Sequence, residues 1–158
     1  MRKIIVSITT IIIFSFAANA QIEEHAIGVR LGGGNYGGGF EASYQYGLGD
    51  VNRLELNLGL NSQNGGSYMS LAGVYQWVWN LDAVSDGFNW YAGPGAQLLL
   101  FSDATVVGFG CQIGVEYNLN GPADVPLTIS LDTRPMFNLV SEGSEFGWGI
   151  ALGIRYTL

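Results

Sequence analysis

The stretch Phe146-Gly-Trp-Gly-Ile-Ala-Leu-Gly-Ile-Arg-Tyr-Thr-Leu158 alternates large apolar residues with small or polar ones to the end of the chain. Successive side chains of a β-strand point to opposite faces of the sheet. Phe146, Trp148, Ile150, Leu152, Ile154, Tyr156 and Leu158 therefore share one face, and Gly147, Gly149, Ala151, Gly153, Arg155 and Thr157 share the other. The pattern predicts a strand, and two architectures accept it. A soluble sandwich would bury the large face, whereas a membrane barrel would turn it to lipid. A face of Gly, Ala and one Arg has little side-chain volume, which suits the concave interior of a closed eight-stranded barrel. The wide face carries Trp and Tyr near its ends, where membrane barrels place aromatic girdles.

At the other end, Met1-Arg-Lys3, the apolar run from Ile4 to Phe16 and Ala18-Asn-Ala20 read as a secretory signal peptide. Residues 1–20 are then a cleaved leader and 21–158 the folded domain. The apolar run is short for a spanning helix, and no Cys follows the cleavage site to carry a lipid anchor. Without the leader, Arg30, Arg53, Arg134 and Arg155 stand against 13 acidic residues, a net charge of −9 with no lysine. Soluble surfaces mix both signs over about a quarter to a third of their residues. Nucleic-acid binding needs clustered positive charge, so no such partner is expected. Cys111 has no second cysteine to pair with and falls on the apolar parity beside Phe109 and Ile113, where it serves as a small hydrophobe.

Between these ends, alternating segments recur with turn chemistry between them and no helical period, which predicts an all-β meander. Strand 1, about 25–32, sets Ile27, Val29 and Leu31 against Gly28, Arg30 and Gly32. Strand 2, about 39–46, sets Phe40, Ala42, Tyr44 and Tyr46 against Glu41, Ser43 and Gln45. The glycine-rich segment Gly33 to Gly39 leads into a strand and not a helix, so it is expected to be a flexible hairpin loop and not a phosphate cradle. Strand 3, about 53–60, sets Leu54, Leu56, Leu58 and Leu60 against Glu55, Asn57 and Gly59. Strand 4 carries Met69, Leu71, Tyr75, Trp77 and Trp79 on one parity, with Gly73 and Val74 breaking the rule.

Strand 5, about 90–100, turns Gly93, Gly95 and Gln97 inward, and Pro94 implies a bend or a gap in the ladder. Strand 6, about 106–117, sets Val107, Phe109, Cys111, Ile113, Val115 and Tyr117 against Gly108, Gly110, Gln112, Gly114 and Glu116. Strand 7, about 127–139, sets Leu127, Ile129 and Leu131 against Thr128, Ser130, Asp132 and Arg134, and strand 8 is the C-terminal stretch. The number is even, and each strand is close to the roughly nine to eleven residues that a tilted membrane strand needs. The apolar rows hold more Leu, Ile, Phe, Tyr and Trp than the inside of such a barrel can contain. The polar rows are too small and too weakly charged for the exterior of a soluble protein. An inside-out, closed eight-stranded antiparallel up-and-down transmembrane β-barrel is the expected fold. Closure removes the sheet edges that hydrocarbon cannot tolerate.

The leader, the dyad-repeat strands and a final strand carrying Trp148, Ile150, Leu152, Ile154 and Tyr156 resemble the small eight-stranded outer-membrane β-barrels of Gram-negative bacteria, of the OmpA and OmpX type. That family usually ends in an aromatic residue, whereas this chain ends in Leu158. The resemblance implies an outer-membrane location, outer-membrane lipid as surroundings, and assembly machinery that reads the C-terminal strand. It also implies periplasmic termini and outward loops at 33–39, 61–67, 102–105 and 140–145. These loops are short, which leaves little surface for an adhesin or a receptor. A monomer is expected.

The candidate site is the lumen, with Arg30, Glu41, Glu55, Gln112, Glu116, Asp132, Arg134 and Arg155 as a polar network. Arg30 and Glu41 are equidistant from the first hairpin and should face each other. Asp132 and Arg134 lie two apart on strand 7. Glu116 and Arg155 are expected to meet through the Thr128 region. Such a network neutralises charges that a narrow interior could not leave single. The other reading is a gate or thin ion path, which would make the protein porin-like. No cofactor is expected, and no His, Cys, Asp and Glu cluster has metal-ligand spacing.

Two other classes compete with a non-enzymatic envelope protein. An outer-membrane lipid-modifying hydrolase or acyltransferase would use a His with Ser, Asp or Asn, and the only histidine is His25, at the start of strand 1. A soluble secreted lipocalin-like binder of a small hydrophobic ligand would explain Asn89-Trp-Tyr-Ala92. In that family, however, the Trp-Tyr pair lies on the first strand and not mid-chain.

Overall fold

The computed structural model describes residues 22–140 and 142–158; the leader expected at 1–20 lies outside them. Ten strand segments follow in order: β1 (His25–Gly34), β2 (Gly37–Gly47), β3 (Asn52–Gln63), β4 (Gly66–Asn80), β5 (Phe88–Leu100), β6 (Thr105–Asn118), β7 (Leu127–Thr133), β8 (Met136–Val140), β9 (Gly143–Gly147) and β10 (Gly149–Thr157). A one-turn helix, α1 (Asn120–Ala123), lies in the connection before β7. Every pairing is antiparallel: β1 to β6 pair in chain order, β6 goes on to pair with both β7 and β8, β7 pairs with β10 and β8 with β9, and β1 pairs with β10 to close the sheet. The result is a closed eight-stranded barrel, in which β7 and β8 are halves of the seventh strand, and β9 and β10 halves of the eighth.

Strand 7 and the C-terminal stretch are therefore not continuous, as their alternation suggested. Both breaks have one cause. Thr133 pairs with Ile150 and Met136 with Gly147 in a common register, and the ladder lapses only around Arg134 and Pro135. Proline has no N–H to donate, so its neighbours lose their ladder bonds without losing register. Pro94 acts similarly. The β4–β5 ladder runs from Met69↔Leu100 to Val74↔Gly95 and resumes at Trp77↔Ala92.

Parity holds through these gaps. Ile27, Val29, Leu56, Leu58, Ile129, Leu131, Ile150, Leu152 and Ile154 are all exposed on the outer surface, whereas Arg30, Glu55, Gln112 and Arg155 are buried inside. The exception expected at Gly73 and Val74 does not occur. Val74 and Val78 simply face inward, and Val78 forms a small apolar cluster with Tyr91.

The glycine segment departs most from expectation. Gly32, Gly33 and Gly34 pair with Gly39, Gly38 and Gly37, leaving only Asn35 and Tyr36 as the turn, so it is ladder and not flexible loop. Glycines pair here because two backbones without Cβ atoms can approach each other and the adjoining β10. A Cβ on Gly34 would meet the Trp148 carbonyl. The next hairpin turns at Asn64-Gly65, both at positive φ, the preference of a tight two-residue turn. Connections at this turn rim (35–36, 64–65, 101–104 and 141–142) are shorter than 81–87 and 119–126 at the opposite, terminal rim.

Candidate functional site: the polar interior

Inward parity brings charged side chains from separate strands to the barrel axis. Glu55 on β3 is the hub. Its carboxylate lies 3.0 Å from Arg155 Nη2 and 3.7 Å from Arg30 Nε. It also accepts hydrogen bonds from Gln45 Nε2 at 2.7 Å, Asn57 Nδ2 at 2.9 Å, Gln76 Nε2 at 3.2 Å and Gln112 Nε2 at 3.3 Å. Arg155 donates further to Ser43 Oγ at 2.9 Å and Ser130 Oγ at 2.8 Å.

Toward the turn rim, Arg30 bridges Glu41 and Asp132, and Arg134 grips the same Glu41 through both Nη atoms, at 3.2 and 2.8 Å. Tyr91 Oη donates to Asp132 at 2.9 Å. Toward the terminal rim, Arg53 makes a two-pronged contact with Glu116, at 3.0 and 2.7 Å. It also donates to Gln76 at 2.6 Å and stands over the Tyr91 ring at 4.8 Å. Each guanidinium is thus matched by a carboxylate, the condition for keeping charges in a low-dielectric interior.

Arg30 and Glu41 face each other in register across β1 and β2. Glu116 and Arg155 do not pair as expected: Arg53 takes Glu116 and Glu55 takes Arg155. Arg155 does lie beside Thr128 in the β7–β10 register. Asp132 and Arg134 are also drawn apart, to Arg30 and Glu41 respectively. Strand parity says which side chains enter the lumen, while barrel closure decides who meets whom. Sequence reasoning left Arg53 and Tyr91 out of the network. Their signal was parity with Glu55 and Gly93, two residues further along the same strands.

This polar core separates two spaces. One, of about 120 Å³, opens toward the turn rim and is lined in part by Arg30, Glu41, Tyr68, Gln97 and Arg134. The other, of about 290 Å³, lies at the terminal mouth. At the turn rim, Tyr36 Oη donates to Glu145 at 2.7 Å, and burial together with that carboxylate pushes its phenol above the ordinary range. His25 Nδ1 stands 2.7 Å from Tyr44 Oη, and its Nε2 lies 3.8 Å from Glu24. Among the described residues no group of three or more His, Cys, Asp or Glu is placed to hold a metal ion.

A closed antiparallel barrel with apolar residues outside and paired charges inside defines the class: the fold is that of the small eight-stranded outer-membrane β-barrels. Among solved structures, the chain is similar to Neisserial surface protein A, with 16% identity and a TM-score of 0.58 over 85% of this chain and 96% of that one. Further similarities are to the N-terminal β-barrel domain of Pseudomonas aeruginosa OprF (16% identity, TM-score 0.47, 85% and 100% covered) and to the Yersinia pestis outer membrane protein Ail in a phospholipid bilayer nanodisc (14%, 0.45, 85% and 100%). The first likeness shows a shared fold. No protein-family model and no curated protein sequence matches the chain.

Proposed function

We propose that this chain is an integral outer-membrane protein, a non-enzymatic monomeric barrel that serves as a stable membrane-embedded body with a closed polar interior. The observation that carries the reading is inverted polarity. Leu58, Leu131, Ile150 and Ile154 are about half exposed on the outer surface, whereas Glu55 and Arg155 are fully buried. In water this arrangement would waste its hydrophobic surface; in lipid it is the favourable one. Tyr44, Tyr46, Trp77, Trp79, Trp90, Tyr117 and Tyr156 face outward near the terminal ends of their strands, consistent with an interfacial girdle. The terminal rim is then periplasmic, lipid surrounds the wall, and the assembly machinery engages the strand that ends in β10.

Two observations weigh against the competing classes. The interior is lined by ion pairs and amides and not by the apolar calyx that a lipocalin ligand needs, and His25 is engaged with Tyr44 and Glu24 rather than with a serine nucleophile. Cell fractionation tests the location: the protein is expected in the outer-membrane fraction, extractable only with detergent and with heat-modifiable mobility on a gel. Recovery in the soluble periplasm would overturn the reading. Planar-bilayer recording tests the closed interior. No steady conductance is expected, and steady channels abolished by Arg30→Ala or Glu41→Ala would establish a conducting lumen instead.

A further inference from the structure

Toward the terminal rim, the inward parity of β4 reads Gln76, Val78 and Asn80, which sets one apolar side chain between two polar ones. Val78 takes no part in the ion pairs and amide bonds of the lumen. It is nevertheless buried, in a cluster with Tyr91 of β5, and Ile22 from the segment before β1 packs against the two of them. The first residues of the described chain therefore reach into the lumen instead of trailing into solvent.

Two further features seat this segment. Gly47 N donates to the Glu24 carbonyl at 2.9 Å, one residue beyond the His25↔Tyr46 pair, and the chain bends there. Gly47 stands on the inward parity of β2, and a Cβ on it would come within 2.9 Å of the Glu23 carbonyl oxygen and 3.4 Å of Ile22 Cγ2. The space that a side chain at position 47 would fill is the space in which residues 22–24 lie. Glu23 in turn accepts a hydrogen bond from Asn120 Nδ2 of α1 at 2.9 Å. Contacts to β2, β4, β5 and α1 carry the segment across the mouth.

We propose that residues 22–24 are a plug that closes the lumen at its terminal mouth and governs the access of water and small solutes to the Arg53–Glu116 pair. Ile22 packs against Tyr91, the ring over which Arg53 stands at 4.8 Å, and Arg53 grips Glu116 beyond it. An ion pair inside a protein is stronger the drier its surroundings, so a stopper on this side stabilises the contact. The same segment is the part of the mouth built to open. It is held by a half-buried side chain and by hydrogen bonds at its edges, whereas the wall strands are laddered to their neighbours along their length. The proposal goes beyond the closed interior inferred above: ion pairs block the middle of the lumen, and the plug closes its end.

The test is the rate at which a small cationic methanethiosulfonate reagent modifies a reporter thiol, Val78→Cys, in the detergent-folded barrel, with Cys111→Ser so that the reporter is the one thiol present. Slow modification is expected, against fast modification of Val84→Cys on the 81–87 connection, a position 73% exposed. Ile22→Ser should raise the rate at Val78→Cys about tenfold, because the apolar burial that holds the plug is lost. Gly47→Val should raise it as well, by filling the space of the segment while residues 22–24 keep their sequence. Asp103→Asn at the opposite rim should leave the rate unchanged, and heat-modifiable mobility reports that each variant is folded. The proposal is overturned if Val78→Cys reacts as fast as Val84→Cys with the segment intact, if neither Ile22→Ser nor Gly47→Val speeds the reaction, or if Asp103→Asn speeds it equally. Steady conductance in planar bilayers would overturn the closed interior and leave this result standing, since thiol reactivity at Val78→Cys reads the mouth alone.

Discussion

Arg155 on β10 and Glu55 on β3 meet at 3.0 Å in the barrel interior, a hundred residues apart in sequence and both without solvent exposure. β10 and β3 are three strands apart around the wall, so this contact exists only because the sheet is closed through β1. Removing one partner of a buried pair leaves an uncompensated charge, and Arg155→Met should destabilise the barrel by about 3 kcal/mol. Glu55→Leu/Arg155→Met together should cost less than Arg155→Met alone. Reversible urea unfolding of the four proteins in one detergent, as a double-mutant cycle, measures the difference.

The outer surface offers a second test. In lipid, Leu58→Arg should cost about 2–4 kcal/mol, whereas Leu158→Arg, beyond the end of β10, should cost about 0–1. The same unfolding assay in phospholipid vesicles gives both values. Equal, near-zero costs would mean that water and not hydrocarbon bathes Leu58.

Gly93 packs against a neighbouring backbone. A Cβ there would strike the Tyr75 carbonyl on β4, beside the lapse that Pro94 leaves in the ladder. Gly93→Ala should therefore force the two strands apart at a cost of about 1–3 kcal/mol. Gly49→Ala, with nothing within 4 Å, should be near neutral, and comparing the two midpoints checks both.

At the turn rim, the folded protein favours the neutral phenol of Tyr36, since both burial and the Glu145 carboxylate oppose its ionisation. A phenol whose folded pKa is raised contributes stability that is fully present below the unfolded value of about 10 and is lost as pH rises through the folded value. Unfolding midpoints compared between pH 8 and pH 11 should fall more for the unmodified chain than for Tyr36→Phe.

Much of this protein is legible before any coordinates. Period-two alternation places Arg30, Glu41, Glu55 and Arg155 on one face, because a strand gives its side chains no third direction. The first hairpin even sets Arg30 opposite Glu41, since register near a tight turn follows from counting. Gly32 to Gly39 misleads because backbone-to-backbone pairing needs no side-chain signal, and Arg134-Pro135 interrupts two strands only because they are neighbours.

The amino-acid order by itself determined the strands, their two faces and the excess of apolar surface that marks the barrel as inside-out. Only the tertiary structure decided that Arg53 takes Glu116 and Arg155 takes Glu55. Alternation is a local property of the backbone. Partners across a lumen depend on how far each strand is staggered when the sheet closes, which no single strand encodes.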